Sequence, residues 1–314
     1  MKSDGEPFVA VVGGANIDIH GKSDAALREH DSNPGTVSTS PGGVARNVAE
    51  NLARLGVDSR LISAVGNDQY GEMLLALGQE AGIDVRCVHQ SDVAPTSTYL
   101  SVLNDTGDMT LAVSDMKIMD ELNAGRVRQH QELLEQSSLI ILDTNLPDDA
   151  LGWLTNTFSD QTIFADTVST AKATRLRPYL SRIHTLKTGT LEAEALTGLE
   201  AHSDAQIQKL AEWIHSHGVT RLFVTRGEHG VFYSTDDVRA VKAPDKNLRE
   251  ISNSSGAGDA FLAGLAYAWL HDWSLDRSVH FAMAAAQVTV SDRATSSPAL
   301  SLEAVQQVLE SQCD

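Results

Sequence analysis

An α/β fold built on a mostly parallel sheet is what this 314-residue sequence predicts. Three observations carry that expectation: apolar runs of strand length, helical patterns between them, and a regular alternation of the two, which implies crossovers covering both faces of a sheet. In chain order, Phe8 to Gly14 is an apolar run ending in glycines and reads as a buried strand. Ile17 to Thr39 lacks helical periodicity and carries the turn signal Asn33-Pro34-Gly35, so it reads as strands. Val44, Val48, Leu52 and Leu55 recur at helical spacing, and Gly56 ends the helix they define. Leu61 to Val65 is the next strand. Thr98 to Leu103 and Met109 to Val113 flank the polar turn Asn104 to Asp108 and read as a β-hairpin. Leu139 to Leu142, Ile163 to Ala165 and Leu222 to Thr225 resume the strand rhythm, and Ala257 to Ala286 is helical in pattern. With no repeat or low-complexity linker, the expected organisation is one domain over residues 1–314, from which approximately 16–41 and 96–115 rise as a small β-strand lid.

Composition narrows the function. Asp and Glu number 42 against 24 Lys and Arg, a formal charge of −18. With no basic stripe, that field repels a phosphate-coated polymer, so no nucleic-acid partner is expected. Met1 to Pro7 is polar and acidic rather than a basic stretch leading into an apolar run, and does not read as a secretory signal. No apolar run approaches the roughly 20 residues that span a bilayer, so no membrane association is expected. The two cysteines, Cys87 and Cys313, are far apart and lack metal-ligand spacing, which suits free thiols in a cytoplasmic compartment.

The most informative segment is Asn253-Ser254-Ser255-Gly256-Ala257-Gly258-Asp259, which leads into an apolar helical run. Small residues at a helix start leave successive backbone N–H groups free to converge on an anion, so Gly256, Ala257 and Gly258 form a candidate anion hole. Asp259 lies in the first turn of that helix. It reads either as the cap of a glycine-rich turn or as the base that takes a proton from a hydroxyl attacking phosphorus. Near the other end, Gly14-Ala15-Asn16-Ile17-Asp18 follows the first strand, at the edge where open α/β sheets bind ligands. Asn16 and Asp18 can hold vicinal hydroxyls, and Gly42-Gly43 opens the helix that carries Asn47. Taken singly, these are also ordinary turn glycines and a polar face.

Other phosphate and hydrolase motifs are excluded. Gly21-Lys22-Ser23 resembles the end of a P-loop, but Asn16 stands where the upstream glycine is required. Gly256-Ala257-Gly258 starts like a dinucleotide fingerprint, but Phe261 replaces its third glycine. Neither a zinc-hydrolase H-E-x-x-H nor a G-x-S-x-G elbow occurs.

Two spaced signatures, Gly42-Gly43-Val44-Ala45-Arg46-Asn47-Val48-Ala49 followed by Gly56 and Gly66, and the Gly256 to Asp259 segment, resemble those of ribokinase-like (PfkB) carbohydrate kinases. The resemblance covers nearly the whole chain and implies a three-layer α/β/α sandwich with a mostly parallel central sheet and a small β-strand lid. Within the family the likeness is strongest to pseudouridine-phosphorylating members, through Asp31 to Gly35, Pro41 to Asn47 and Thr98 to Ser101. It implies ATP-dependent phosphorylation of a nucleoside 5′-hydroxyl, with Asp259 as catalytic base and Gly256, Ala257 and Gly258 around the transferring phosphoryl. Asn16, Asp18, Gly43 and Asn47 would hold the ribose, and Ser32 and Asn33 would face the base from the lid. Thr225 and Gly227 fall where the family binds nucleotide phosphates, and Met283 where the adenine is walled.

Two departures stand out. The family's Asn-x-x-Glu, which organises Mg2+ through water, reads Gly189-Thr190-Leu191-Glu192, keeping Glu192 without the amide. Asn253 stands where many relatives carry an Asp that helps bind a monovalent cation, which leaves K+ open as a cofactor. The alternatives to a pseudouridine kinase are a kinase for another nucleoside or sugar, such as ribose, adenosine or fructose, and a nucleoside-binding protein without activity. Exposed lid edges and family habit point to a homodimer formed through the lid.

Overall fold

The computed structural model describes residues 7–235, 237, 239–242, 256–290 and 296–311. Thirteen strands form among them. The first seven are β1 (Phe8–Val12), β2 (Asn16–Ser23), β3 (Gly35–Gly42), β4 (Asp58–Gly66), β5 (Asp84–Ser91), β6 (Thr98–Leu103) and β7 (Met109–Asp115). The others are β8 (Leu139–Asp143), β9 (Ile163–Asp166), β10 (Thr185–Gly189), β11 (Arg221–Thr225), β12 (Val231–Ser234) and β13 (Arg239–Lys242).

Nine strands make one sheet in the order β13-β12-β11-β10-β9-β8-β1-β4-β5. Every neighbouring pair from β11 to β5 is parallel, and β12 and β13 add an antiparallel margin. The continuous apolar run of β1 is explained by burial on both sides. Phe8, Ala10 and Val12 face one core with Ile140, Leu142 and Leu186, while Val9 and Val11 face another with Leu61, Ile141 and Phe223. The first core is closed by the helices Asp148–Thr157, Thr190–Thr197 and Asp204–Ser216. The second is closed by α1 (Val44–Arg54) and the helix Ala257–Leu270. This is the α/β/α sandwich that the motifs imply.

The stripe Val48 and Leu52 on α1 is fully buried, each side chain contributing roughly 1.5–3 kcal/mol. Gly56, at φ 83°, ends the helix as the sequence predicts. The stretch read as helical from Ala257 to Ala286 is two helices, Ala257–Leu270 and Leu275–Val290. Asp272, at φ 52°, turns the chain between them. β5 and β10 escape an apolar-run search because they mix charged and uncharged polar side chains, as in Arg86 and Gln90 or Thr185, Lys187 and Thr188.

The remaining strands form a second sheet, in the order β3-β2-β6-β7. The expected hairpin is present as β6 and β7, and β2 is antiparallel to β3 but parallel to β6. Strand alternation gives this sheet two unlike faces. Asp18 lies beside Ser40 and Tyr99, and His20 beside Ser38 and Ser101, on a polar face. Val37, Leu100, Leu111 and Val113 share the other face, and all four are exposed, Val37 by 72%. Among the described residues no helix is long and apolar enough to cross a membrane.

Candidate active site

The carboxyl ends of the parallel strands bring the polar groups together, as open α/β sheets do. Asp143 ends β8 and is fully enclosed. Its Oδ2 accepts the Gly14 N–H at 2.9 Å and the Ala45 N–H at 3.0 Å, and its Oδ1 accepts the Asn145 N–H at 2.8 Å. One carboxylate thus ties the turn after β1 to the first turn of α1, whose own N-cap Gly43 offers no side chain. Burial raises the Asp143 pKa, against the hydrogen bonds from Gly14 and Asn145 and the charge of Lys172, which lower it.

Gly43 sits at φ 97°, and a Cβ there would run into the Gly14 carbonyl and the Ala15 backbone. Only glycine allows the two turns this approach. Asn16 Nδ2 donates to Asp18 Oδ1 at 2.7 Å, and the Asp18 carboxyl lies against Gly42, in room a side chain there would need. Asn16, Asp18 and Gly43 therefore gather in one place, beside the start of α1.

Asn47, one turn into α1, reaches across to the C-terminal part of the chain, where its Nδ2 donates to Asp259 Oδ2 at 2.8 Å. Asp259 is 7% exposed, in the first turn of the helix Ala257–Leu270. The N-cap of that helix is Gly256, left-handed at φ 80°, and among the described residues no side chain caps the first N–H groups. Its start therefore presents backbone N–H donors and a positive dipole end. Lys187, on β10, donates from Nζ to Asp166 Oδ2 at 2.9 Å and lies so close to Gly258 that a Cβ there would collide with it. Burial opposes the Lys187 charge, but Asp166, Asp259 and Glu192 outweigh it and the pKa is raised. Burial also drives the Asp259 pKa up to about 7, with Asp166 and Asp143 adding to the rise and Lys187 and Asn47 opposing it.

Further along the strand ends, Gly189 of β10 pairs with Thr225 of β11. Glu192, in the first turn of the helix Thr190–Thr197, folds its carboxylate over Gly189, into the room that a side chain at 189 would fill. Thr225 Oγ1 donates to the Thr188 carbonyl at 3.3 Å. Gly227 takes φ 56° with open space beside its Cα. Met283 lies on the helix Leu275–Val290, half-buried against the second core.

The sequence-derived residues Asn16, Asp18, Gly43, Asn47, Gly256, Ala257, Gly258 and Asp259 thus meet around the α1 and Ala257–Leu270 helix starts. Glu192, Thr225 and Gly227 line the neighbouring strand ends. Among the described residues no bond joins Ser32 or Asn33 to them. Asn33 uses its amide inside its own turn, accepting from the Arg28 N–H at 2.8 Å and donating to the Arg28 and Asp31 carbonyls, while the Ser32 N–H is held by Asp31 Oδ1. Asn253 and Cys313 lie outside the described residues. Asp143, Asp166 and Lys187 are site groups that the motif reading passes over; their signal is a charged residue within or ending an otherwise buried strand.

Comparison with known proteins gives the family and the fold. A model of the pfkB family carbohydrate kinases matches residues 6–302. A pseudouridine kinase from Escherichia coli (strain K12) is 39% identical over 308 residues, covering 96% of each chain. A carbohydrate kinase structure from Agrobacterium tumefaciens is similar with a TM-score of 0.84 at 28% identity, over 97% of both chains. An Arabidopsis thaliana ribokinase, complexed with ribose and ATP, has the same fold at a TM-score of 0.84 and 22% identity, over 97% of this chain and 99% of its own. The chain belongs to the pfkB family of carbohydrate kinases and is a phosphotransferase acting on a sugar or nucleoside.

Proposed function

We propose that this kinase transfers the terminal phosphoryl group of ATP to the 5′-hydroxyl of pseudouridine. The observation that carries the chemistry is Asp259, a buried carboxylate in the first turn of a helix that opens on Gly256, bonded to Asn47. The 39% identity with a pseudouridine kinase supports the choice of nucleoside.

In the reaction, the 5′-oxygen forms a bond to the γ-phosphorus as the bond to the β,γ-bridging oxygen breaks. The hydroxyl proton passes to Asp259, and ADP leaves. The transition state is loose, so position and charge matter more than a strong base. The N–H groups of Gly256, Ala257 and Gly258 meet the equatorial oxygens, and Lys187, already against Gly258, supplies a positive charge there. Asn16, Asp18, Gly43 and Asn47 hold the ribose. Thr225 and Gly227 serve the nucleotide phosphates, and Met283 the adenine.

Among the described residues no group of three His, Cys, Asp or Glu side chains could hold a metal by itself. The donor set suits Mg2+ brought in with nucleotide phosphates and waters, with Glu192 as the acidic side chain that would hold it through water. When bound, Mg2+ draws charge from the phosphate oxygens. The second sheet acts as the lid, its polar face toward the nucleoside, and excludes water that would otherwise hydrolyse ATP. Its exposed apolar face supports a homodimer formed through the lid, since such patches mark interaction sites. The cytoplasm, which supplies ATP, suits the activity.

Turnover with Mg-ATP on a panel of pseudouridine, uridine, adenosine, ribose and fructose tests the assignment. Pseudouridine should give the highest kcat/KM. Preferred turnover of ribose, fructose or adenosine would replace that substrate, and nucleoside binding without product would make the chain a binder.

A further inference from the structure

Asn47 is itself held by a charge from its own helix. Arg46 Nη1 donates to Asn47 Oδ1 at 2.8 Å, and Arg46 Nη2 pairs with Glu50 Oε2 one turn along. Glu50 is in turn bonded by Arg54 through Nε at 3.0 Å and Nη2 at 2.6 Å. Arg46 is 2% exposed, and among the described residues its Nε meets no partner. Burying a guanidinium is costly, and a surface-free ion pair of this kind is weak evidence for stability. Its geometry suggests a different use.

We propose that Arg46 is a positioning residue, which fixes the Asn47 amide with its oxygen turned toward the guanidinium, so that only the N–H side can meet Asp259. An arginine has donors and no acceptor, so the atom of Asn47 facing it must be the oxygen. Nδ2 is then left to point at the carboxylate. The result is a one-way chain of donors, from Arg46 through the amide to Asp259. Ser296 also donates to Asn47 Oδ1, at 3.5 Å, but a hydroxyl can both give and accept and so imposes no orientation. With Arg46 gone, the amide is free to turn its oxygen to Asp259, where it favours the protonated acid.

The groups that set the charge at Asp259 are Lys187 on β10, Asp166 on β9 and Asp143 on β8, with Asn47 facing it from α1. Those acting on Arg46 are Glu50, Arg54 and Asp18. Burial lowers the Arg46 pKa and Glu50 and Asp18 raise it. Replacing Arg46 leaves Glu50 paired with Arg54, so the substitution strands no buried carboxylate.

This inference rests on the reading of Asp259 as the proton acceptor, and the test separates the two. The acid limb of kcat/KM is compared in the parent, Arg46→Met and Glu50→Gln. Arg46→Met should move the limb upward by roughly one to two pH units, the tenfold-per-unit equivalent of losing one hydrogen bond to a charged group. Its activity should approach the parent's at high pH. Glu50→Gln keeps Arg46 as donor, so its limb should stay in place or move down. A uniform loss at every pH in Arg46→Met, or an upward shift in Glu50→Gln, would overturn the role of Arg46. Should Arg46→Met fail to fold, Arg46→Gln takes its place, since its amide can both give and accept and so leaves Asn47 unoriented: an upward shift is again expected, and an unmoved limb overturns the role. Asp259→Asn is the separate control: undiminished turnover there removes the reading of Asp259. An inactive Asp259→Asn beside an unshifted Arg46→Met removes only the role of Arg46.

Discussion

Asn47 and Asp259 are 212 residues apart in sequence and 2.8 Å apart in the fold. The bond joins the two helix starts that each open on a glycine with positive φ, Gly43 and Gly256. One helix brings the polar groups suited to an acceptor sugar, the other the backbone N–H groups suited to a phosphoryl. The bond also limits what Asp259 can do, because a hydrogen bond to the charged form opposes the rise that burial imposes.

The first consequence is a pH profile. A proton acceptor must be ionised, and the Asp259 pKa is raised to about 7. For the free enzyme, kcat/KM should climb about tenfold per pH unit below 7 and level off above it. A profile flat from pH 5 to 8 would show that no group of this pKa controls turnover.

Stability should respond to the same carboxylate in the opposite sense. Its pKa is raised from 3.8 to about 7 on folding, so between those values the folded chain binds a proton that the unfolded chain does not. Its contribution is fully present below 3.8 and is lost as the pH rises through 7. Asp259→Asn carries no charge to desolvate, so its Tm should exceed the parent's at pH 8, by a margin that shrinks at pH 5. A lower Tm at pH 8 would contradict this.

Glycine at 43 is a closer constraint than glycine at 56. Both have positive φ, but a Cβ at 43 meets the Gly14 and Ala15 backbone, whereas at 56 nothing lies within 4 Å. Gly56→Ala should cost about 1 kcal/mol from the backbone alone, and Gly43→Ala about 3 kcal/mol with weakened nucleoside binding. Denaturant unfolding and calorimetry measure the two effects, and equal losses in both variants would refute the close approach.

The strands and glycine turns were legible in the sequence because each has a local cause. The run Phe8 to Val12 is apolar for burial on two faces, and Gly56 ends a helix by its own conformation. Asp259 was legible because small residues and a carboxylate stand together at a helix start. Lys187 was not. Its meaning comes from Asp166, Asp259 and Gly258, which other strands and a distant helix bring to it. Asn33 shows the converse: its Pro-Gly neighbours correctly announce a turn, but only the fold reveals that the turn takes up the amide. The pairing of β2 with β6 is likewise a long-range choice that neither segment encodes alone.

The outer face of the second sheet gives a prediction about assembly. Leu111 and Val113 are 52% and 58% exposed there. Sedimentation should show a dimer for the parent and a monomer for a Leu111→Glu, Val113→Lys variant. A parent that stays monomeric at every concentration would remove the dimer proposal.

The proton's destination decides the chemistry, and one measurement addresses it most directly: single-turnover phosphorylation of pseudouridine by Asp259→Asn with saturating Mg-ATP. The rate should fall by about 10²–10⁴-fold, with nucleoside affinity and fold retained. A rate within about twofold of the parent's, far less than a general base contributes, would mean that the proton leaves by another route.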